Sequence, residues 1–403
     1  MRRAARRAMT GFAVAGAIAT TALLPGVGAA APGEPPLLTT VSFRPLATPS
    51  PVLGADGRMH LAYELQVVNQ SGLYVTLSEV RAVRAGGANA TLSTLRGPAL
   101  AARMNVFGGG TPAAPTLRPG GAALIFMDAT YARGAAAPGA ILHRIRTVRA
   151  AKPGGPPPPG VARTARFTGV RVAVDRRPAV IVQPPLRGPR WVVGNGCCNA
   201  LNAHRGATLA IDGTTHVAER FAIDFVQLDA QRRMFSGPIA ALSSYAFFGE
   251  TVYSAAPGRV VGIKDGQQEQ TPGSLPEGQT VETAGGNYVV VDIGSGRYAF
   301  YAHLQPGSLR VKVGDRVAAG QPLGLLGNTG NTDAPHLHFH VMDGPSPLTS
   351  NGLPFRLSAF TGEGVVTSEA ALASGEVTPV APRLLGARTN ALPLNLQLVD
   401  FGG

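Results

Sequence analysis

Glycine and proline recur so often in this chain, 52 and 34 times in 403 residues, that a helical bundle or coiled coil has no room to form between them. Each glycine inside a helix costs roughly 1 kcal/mol relative to alanine, and each proline roughly 3 kcal/mol. A chain punctuated this way folds as many short strands joined by turns. Hydrophobic residues make up 45% of it and charged residues 15%, enough to bury a core and to exclude wholesale disorder. The length suits two domains plus additional chain at the ends.

The net charge of +13 is unevenly placed. Residues 1–186 carry 21 basic against six acidic side chains, whereas 187–360 carry 13 of each. A basic front half raises the question of nucleic acid. The surplus lacks the interleaved aromatic and basic residues of a nucleic-acid platform. The first 31 residues also read as a signal peptide. Arg2, Arg3, Arg6 and Arg7 form its positive start, 11–24 its apolar run, and 27–31 its small-residue cleavage region. The expectation is an exported protein, periplasmic, wall-associated or extracellular, with no membrane span once the signal is cleaved and no nucleic-acid partner. The two cysteines, Cys197 and Cys198, are adjacent, so a thiolate zinc site is not expected.

Short apolar stretches alternate through 41–149, separated by Gly, Pro and Asn clusters. In the segment from His60 to Val68, Leu61, Tyr63, Leu65 and Val67 share one strand face, and His60, Glu64 and Gln66 the other. That is the pattern of a half-buried antiparallel strand, with His60 and His143 on the surface. The fold class read from these patterns is mostly β. Residues 37–185 are expected to form an immunoglobulin-like β-sandwich closed by strands near 170–174 and 179–182. A Pro- and Arg-rich joint over 183–190 leads to a second β domain at 190–360, and 361–403 reads as a linker with a final strand.

Six of the eight histidines fall between His204 and His340. In Pro335-His-Leu-His-Phe-His-Val341, an extended backbone projects His336, His338 and His340 to one side and Leu337, Phe339 and Val341 to the other. Clustered neutral imidazoles make poor packing and good zinc ligands. Asp224 interrupts the apolar strand Phe221-Ala-Ile-Asp-Phe-Val226. A buried carboxylate there needs a cation or an ion pair, for which Arg220 and Arg259 are available.

These residues resemble a known family. Tyr301-Ala-His-Leu304, then Val313-Gly-Asp-Arg-Val317 with Gly320-Gln321, then Gly327-Asn-Thr-Gly-Asn-Thr-Asp-Ala-Pro-His-Leu-His-Phe-His340 are similar to lysostaphin-type, or LytM-type, zinc metalloendopeptidases that hydrolyse peptidoglycan. The resemblance runs from about Phe221 to Met342 and implies a LytM-like antiparallel β metallopeptidase domain. It implies Asp224 and His338 as zinc ligands and His303 and His336 as the pair that handles the attacking water. His340 stands where such proteins often carry an acid, and it reads as support behind the ligands. Loop 265–285 is expected to wall the cleft.

One position departs from the pattern. The first ligand there is a histidine four residues before the aspartate, and this chain has Arg220. Two replacements are available, His204 first and His216 as the alternative; a site with no third protein ligand is the remaining case. His216 lies eight residues before Asp224, about 26 Å if fully extended, so it would need a sharp reversal. The resemblance implies an exported zinc endopeptidase acting on peptidoglycan peptides, with the basic sandwich drawn to anionic envelope polymers. The competing expectation, raised by Arg220, is a degenerate, non-catalytic relative that binds wall or regulates another wall hydrolase.

Overall fold

The computed structural model of the chain describes residues 37–86, 89–198 and 201–403, and the expected signal peptide at 1–31 lies outside the described residues. The protein is mostly β. Two five-stranded antiparallel sheets occupy the first half. One runs in the order Val41–Pro45, Arg58–Asn69, Ala122–Ala132, Met104–Val106, with Val52–Leu53 also paired to Arg58–Asn69; the other runs Thr164–Ala173, Ala140–Ala150, Tyr74–Arg84, Thr91–Leu95, with Thr116–Leu117 also paired to Tyr74–Arg84. They share a core of Leu61, Tyr63, Leu65 and Val67 with Val75, Leu77, Val80 and Ile145. Each such side chain contributes roughly 1.5–3 kcal/mol by leaving water.

The other face of Arg58–Asn69 departs from expectation. It meets the second half of the chain, not solvent. Ala62 joins the core built around Trp191, Val192 and Val193, and Glu64 has no exposed surface. Glu64 accepts from Arg220 Nε at 3.0 Å and Nη2 at 2.8 Å, and Arg205 Nη2 lies 3.6 Å away. His60 and His143, expected on the surface, are both buried. His60 sits between Asp128 at 3.0 Å and Asp56 at 3.1 Å. His143 donates through Nδ1 to the Val170 carbonyl (2.9 Å) and accepts from the Tyr63 hydroxyl (2.7 Å). Period-two alternation separates two faces but does not say what covers the polar one. Polar groups tolerate burial when each finds a partner.

The second half is built on one large branched sheet, with two two-stranded sheets beside it. Its main path runs Val180–Val182, Phe355–Val366, Gln397–Asp400, Trp191–Gly194, Ile223–Gln227, Leu337–Met342, Arg297–Leu304, Asn287–Gly294, Gly258–Lys264, Arg316–Val317. Two boundaries differ from the sequence reading. Val180–Val182 pairs in parallel with Phe355–Val366, so it belongs to this sheet and does not close the sandwich. Residues 361–366 continue a strand, and Gln397–Asp400 slots between Phe355–Val366 and Trp191–Gly194. The small residues that suggested a linker mark a bulge instead. The register shifts between Gly362 and Gly364, and a Cβ on Gly362 would collide with the Leu384 carbonyl oxygen. Among the described residues, no helix is long and apolar enough to cross a membrane.

The His60 cluster generates a pH prediction. Burial opposes protonation of His60, yet hydrogen bonds and charge from Asp128 and Asp56 raise its pKa to about 9. A histidine raised from its ordinary value of 6.5 contributes stability that is complete below pH 6.5 and is lost as pH rises through about 9. Thermal unfolding of the wild-type chain is therefore expected to fall in midpoint across that window, and His60→Gln to flatten the fall. Parallel pH profiles for the two proteins would contradict this account.

Candidate metal centre

The centre forms in the interior of the large sheet, on the face that opens into a cleft. Leu337–Met342 lies between Ile223–Gln227 and Arg297–Leu304, with Asp224 directly opposite His338 and His338 opposite Ala302. Leu337, Phe339 and Val341 are fully buried in the core, so the alternation turns His338 and His340 to the other face. His336 lies one residue before the strand, where its N–H donates to the Gly327 carbonyl at 3.3 Å. His303, near the end of Arg297–Leu304, adopts a left-handed backbone with φ 63°. That conformation is costly for a residue with a Cβ. It is held because the Gly327 N–H donates to the His303 carbonyl at 3.1 Å and His303 Nδ1 donates to the Thr329 carbonyl at 2.7 Å.

His204 arrives from elsewhere. It sits on the single helical turn Ala203–Gly206, capped by the Asn202 side chain, and reaches Asp224 Oδ2 with Nε2 at 3.1 Å. Asp224 Oδ1 meets His338 Nδ1 at 3.0 Å and His336 Nε2 at 3.3 Å. Asn195 donates to Oδ2 at 2.9 Å. One carboxylate thus lies among three imidazoles and an amide. His303 stacks near His336, ring centres 4.4 Å apart. The cleft above these groups encloses about 350 Å³ and is walled partly by Leu275, Ala284 and Gly285 from the loop expected there.

Hydrogen bonds to carbonyls set the tautomers, because a carbonyl only accepts. Nδ1 of His204 donates to the carbonyls of Ala222 (3.0 Å) and Asn195 (3.1 Å), leaving Nε2 to face Asp224. His336 Nδ1 donates to the Ala334 carbonyl at 2.8 Å, again freeing Nε2. His338 Nε2 contacts His340 Nδ1 at 2.9 Å. With that nitrogen donating, Nδ1 of His338 presents its lone pair to Asp224. Burial, reinforced by the charges of His338 and His204, keeps the His340 pKa well below the ordinary value, so His340 stays neutral and can accept. Its Nε2 is buried without a partner.

Charge follows the same pattern. Burial opposes ionisation of Asp224, but the charges of His204 and His336 and their hydrogen bonds hold its pKa well below the carboxylate range. Burial opposes protonation of His204, and the Asp224 charge overrides it, raising the pKa to about 9. His303 is pushed well below its usual value by burial, then by His336 and His338. Ring lone pairs of His204 and His338 facing a carboxylate repel it unless a cation lies between them, whether a proton or a metal. The candidate ligand atoms of His204, Asp224 and His338 all lie within 4.8 Å of one another. Two imidazole nitrogens and one carboxylate oxygen form a donor set that fits Zn²⁺ and leaves a position open.

Of the residues singled out from sequence, Asp224, His338, His336, His303, His340 and His204 come together. His216 does not. It ends the small hairpin strand Thr214–His216, opposite Leu209, and is absent from the cleft lining. Neither arginine offered as an ion-pair partner reaches Asp224: Arg220 turns to Glu64, and Arg259 is exposed on Gly258–Lys264. Sequence reasoning missed Asn195 and Thr329. The Asn195-Gly196 pair carried a usable signal, since Asn before Gly favours the left-handed turn found there, φ 52°.

Residues 241–350 match the model for peptidase family M23. That span contains His303, His336, His338 and His340, while Asp224 and His204 lie upstream of it. The peptidoglycan DD-endopeptidase ShyA of Vibrio cholerae is 40% identical over 65 residues, 16% of this chain and 15% of that protein. The glycyl-glycine endopeptidase ALE-1 of Staphylococcus capitis is 36% identical over 99 residues, 24% of this chain and 27% of its own. Lysostaphin of Staphylococcus staphylolyticus is 36% identical over 110 residues, 27% of this chain and 21% of that protein. The chain thus spans little more than a quarter, at most, of the curated relatives it matches. Residues 241–350 of this chain form a peptidase family M23 domain related to lysostaphin-type peptidases.

Proposed function

We propose that this chain is an exported zinc metalloendopeptidase that hydrolyses peptide bonds in bacterial peptidoglycan. The observation that carries the proposal is the convergence of His204, Asp224 and His338 within 4.8 Å, beneath an open cleft flanked by His303 and His336. On this reading His204 Nε2, an Asp224 oxygen and His338 Nδ1 hold the metal. Zinc bound there supplies Lewis acidity toward a scissile carbonyl and an attacking water.

The chain's own residues do the rest. His303 carries its hydrogen on Nδ1, fixed by Thr329, and burial keeps the ring neutral, so its Nε2 can take a proton from the attacking water. His336 has its Nδ1 tied to Ala334 and its pKa raised by the charge of Asp224 against the effect of burial. It is therefore the better donor, placed to steady the developing oxyanion and return a proton to the leaving amine. His340 fixes the tautomer of His338 from behind. The relatives' activities, those of a peptidoglycan DD-endopeptidase and a glycyl-glycine endopeptidase, support a wall peptide as the substrate class.

The first half is read as an immunoglobulin-like carrier module attracted to anionic envelope polymers. Its outer sheet supports this. Arg146 stands directly opposite Arg166, with Arg144 two residues away, and all three are exposed. Like charges side by side on a sheet cost stability, and an anionic polymer would relieve that repulsion.

Three measurements follow. Purified protein loaded with zinc is expected to release soluble peptides from isolated sacculi, and chelation or His338→Ala to reduce release at least a hundredfold; cleavage insensitive to both would overturn the mechanism. A chain that binds no zinc would match the non-catalytic alternative. Zinc stoichiometry separates the candidate ligands: near one per chain in the wild type and in His216→Ala, and near zero in His204→Ala. Retention on an anionic polymer matrix should weaken steeply with salt, and Arg144, Arg146 and Arg166 changed together to Glu should abolish it without changing zinc content.

A further inference from the structure

The three candidate ligands are not held alike. Asp224 and His338 sit on neighbouring strands inside the large sheet, so hydrogen bonds on both sides set their positions. His204 has no such frame. It rides a four-residue turn outside every sheet. Its backbone must be positioned by whatever grips that turn.

The ring of His204 bonds the Asn195 and Ala222 carbonyls, and a second grip, on the turn itself, comes from the first half. The residue after His204 is Arg205, and the two side chains diverge. His204 enters the cleft, while Arg205, with no exposed surface, runs into the outer face of the sandwich. There its guanidinium lies 3.6 Å from Glu64, donates to the Met127 carbonyl at 3.3 Å, and sits 5.8 Å from the centre of the Phe126 ring. Glu64 and Phe126 are directly paired across neighbouring strands, so Arg205 lands on a prebuilt socket. Upstream of the turn, the Cys197–Cys198 disulfide lies against the same face. The Cys198 carbonyl accepts from Arg103 at 3.4 Å.

Glu64 also holds Arg220, four residues before Asp224. One carboxylate from the sandwich therefore pairs with both Arg220 and the neighbour of the histidine facing Asp224. From this juxtaposition we infer that the sandwich is a working part of the metal centre, in which Glu64 acts through Arg205 as a positioning residue for His204. The inference rests on the reading of His204 as a zinc ligand. It assigns the first half a role in metal affinity, separate from any attraction to envelope polymers.

The test uses the full-length chain and zinc itself. Affinity is measured by competition with a chromophoric chelator, at a temperature well below each variant's unfolding transition. The near-ultraviolet signal of Trp191, the only tryptophan and fully buried, reports that the second half is folded. Glu64→Gln and Arg205→Met are each expected to weaken zinc binding tenfold or more with the Trp191 signal retained, and Arg205→Lys to recover most of the loss. Leu77→Ala, in the sandwich core away from the socket, controls for general destabilisation and should leave affinity within twofold. Zinc affinity within twofold of wild type in both Glu64→Gln and Arg205→Met overturns the inference. So does an equal loss in Leu77→Ala, which would make the effect one of stability alone. If one socket variant fails to fold, the other decides alone: a loss of tenfold or more with Leu77→Ala unchanged supports positioning, and affinity within twofold of wild type refutes it; if both fail, Glu64→Asp takes their place on the same criteria. Wild-type affinity that survives His204→Ala fails the ligand reading itself, a result separable from the others.

Discussion

The two halves of this protein meet around one carboxylate. Glu64 is sealed from water and faces two guanidiniums, those of Arg220 and Arg205. Removing one partner of a buried pair leaves a stranded charge and typically costs about 3–5 kcal/mol, a large share of a domain's net stability. The contact between the sandwich and the large sheet must therefore form as a unit. The neighbouring cluster of His60, Asp56 and Asp128 obeys the same rule, since each imidazole nitrogen has a carboxylate partner. Glu64 is the group that spans the two halves, and its pairing with two guanidiniums makes their relative placement specific, where apolar packing alone would allow sliding.

The candidate centre applies the same physics in the opposite sense. At Glu64, the positive charge is built into the protein. At Asp224, the surrounding groups are imidazoles whose tautomers, set by backbone carbonyls, turn lone pairs toward the carboxylate. That arrangement is complete only with an added cation. Surrounding backbone geometry is spent on keeping it: His303 stays in a left-handed conformation, and Thr329, Ala334 and Ala222 each commit a carbonyl to orienting a ring.

Much of this was legible in the chain itself. Glycine and proline density excluded long helices, and period-two patterning located most strands of both halves. The His-Leu-His-Phe-His run, with Asp224 on another strand, named four of the six side chains that converge. What alternation could not convey was the occupant of each polar face. Glu64 and His60 read as solvent-facing because half-buried strands usually are, and the second half covers them. Gly362 and Gly364 read as a linker because small residues serve both flexible segments and bulges, and only strand pairing tells the two apart.

The third nitrogen at Asp224 shows the division most clearly. The sequence by itself established that Arg220 cannot ligate a metal, and that His204 and His216 were the replacements at hand. Separation along the chain put His204 first, because an extended run into Asp224 would carry His216 away. Only tertiary structure supplies the means: His216 is committed to a hairpin facing Leu209, while His204 rides a turn whose next residue is anchored 141 positions back, at Glu64. A residue's own neighbourhood in sequence sets which chemistry it can perform. Which groups it performs that chemistry with depends on contacts between segments far apart in the chain, and those exist only once the halves have packed.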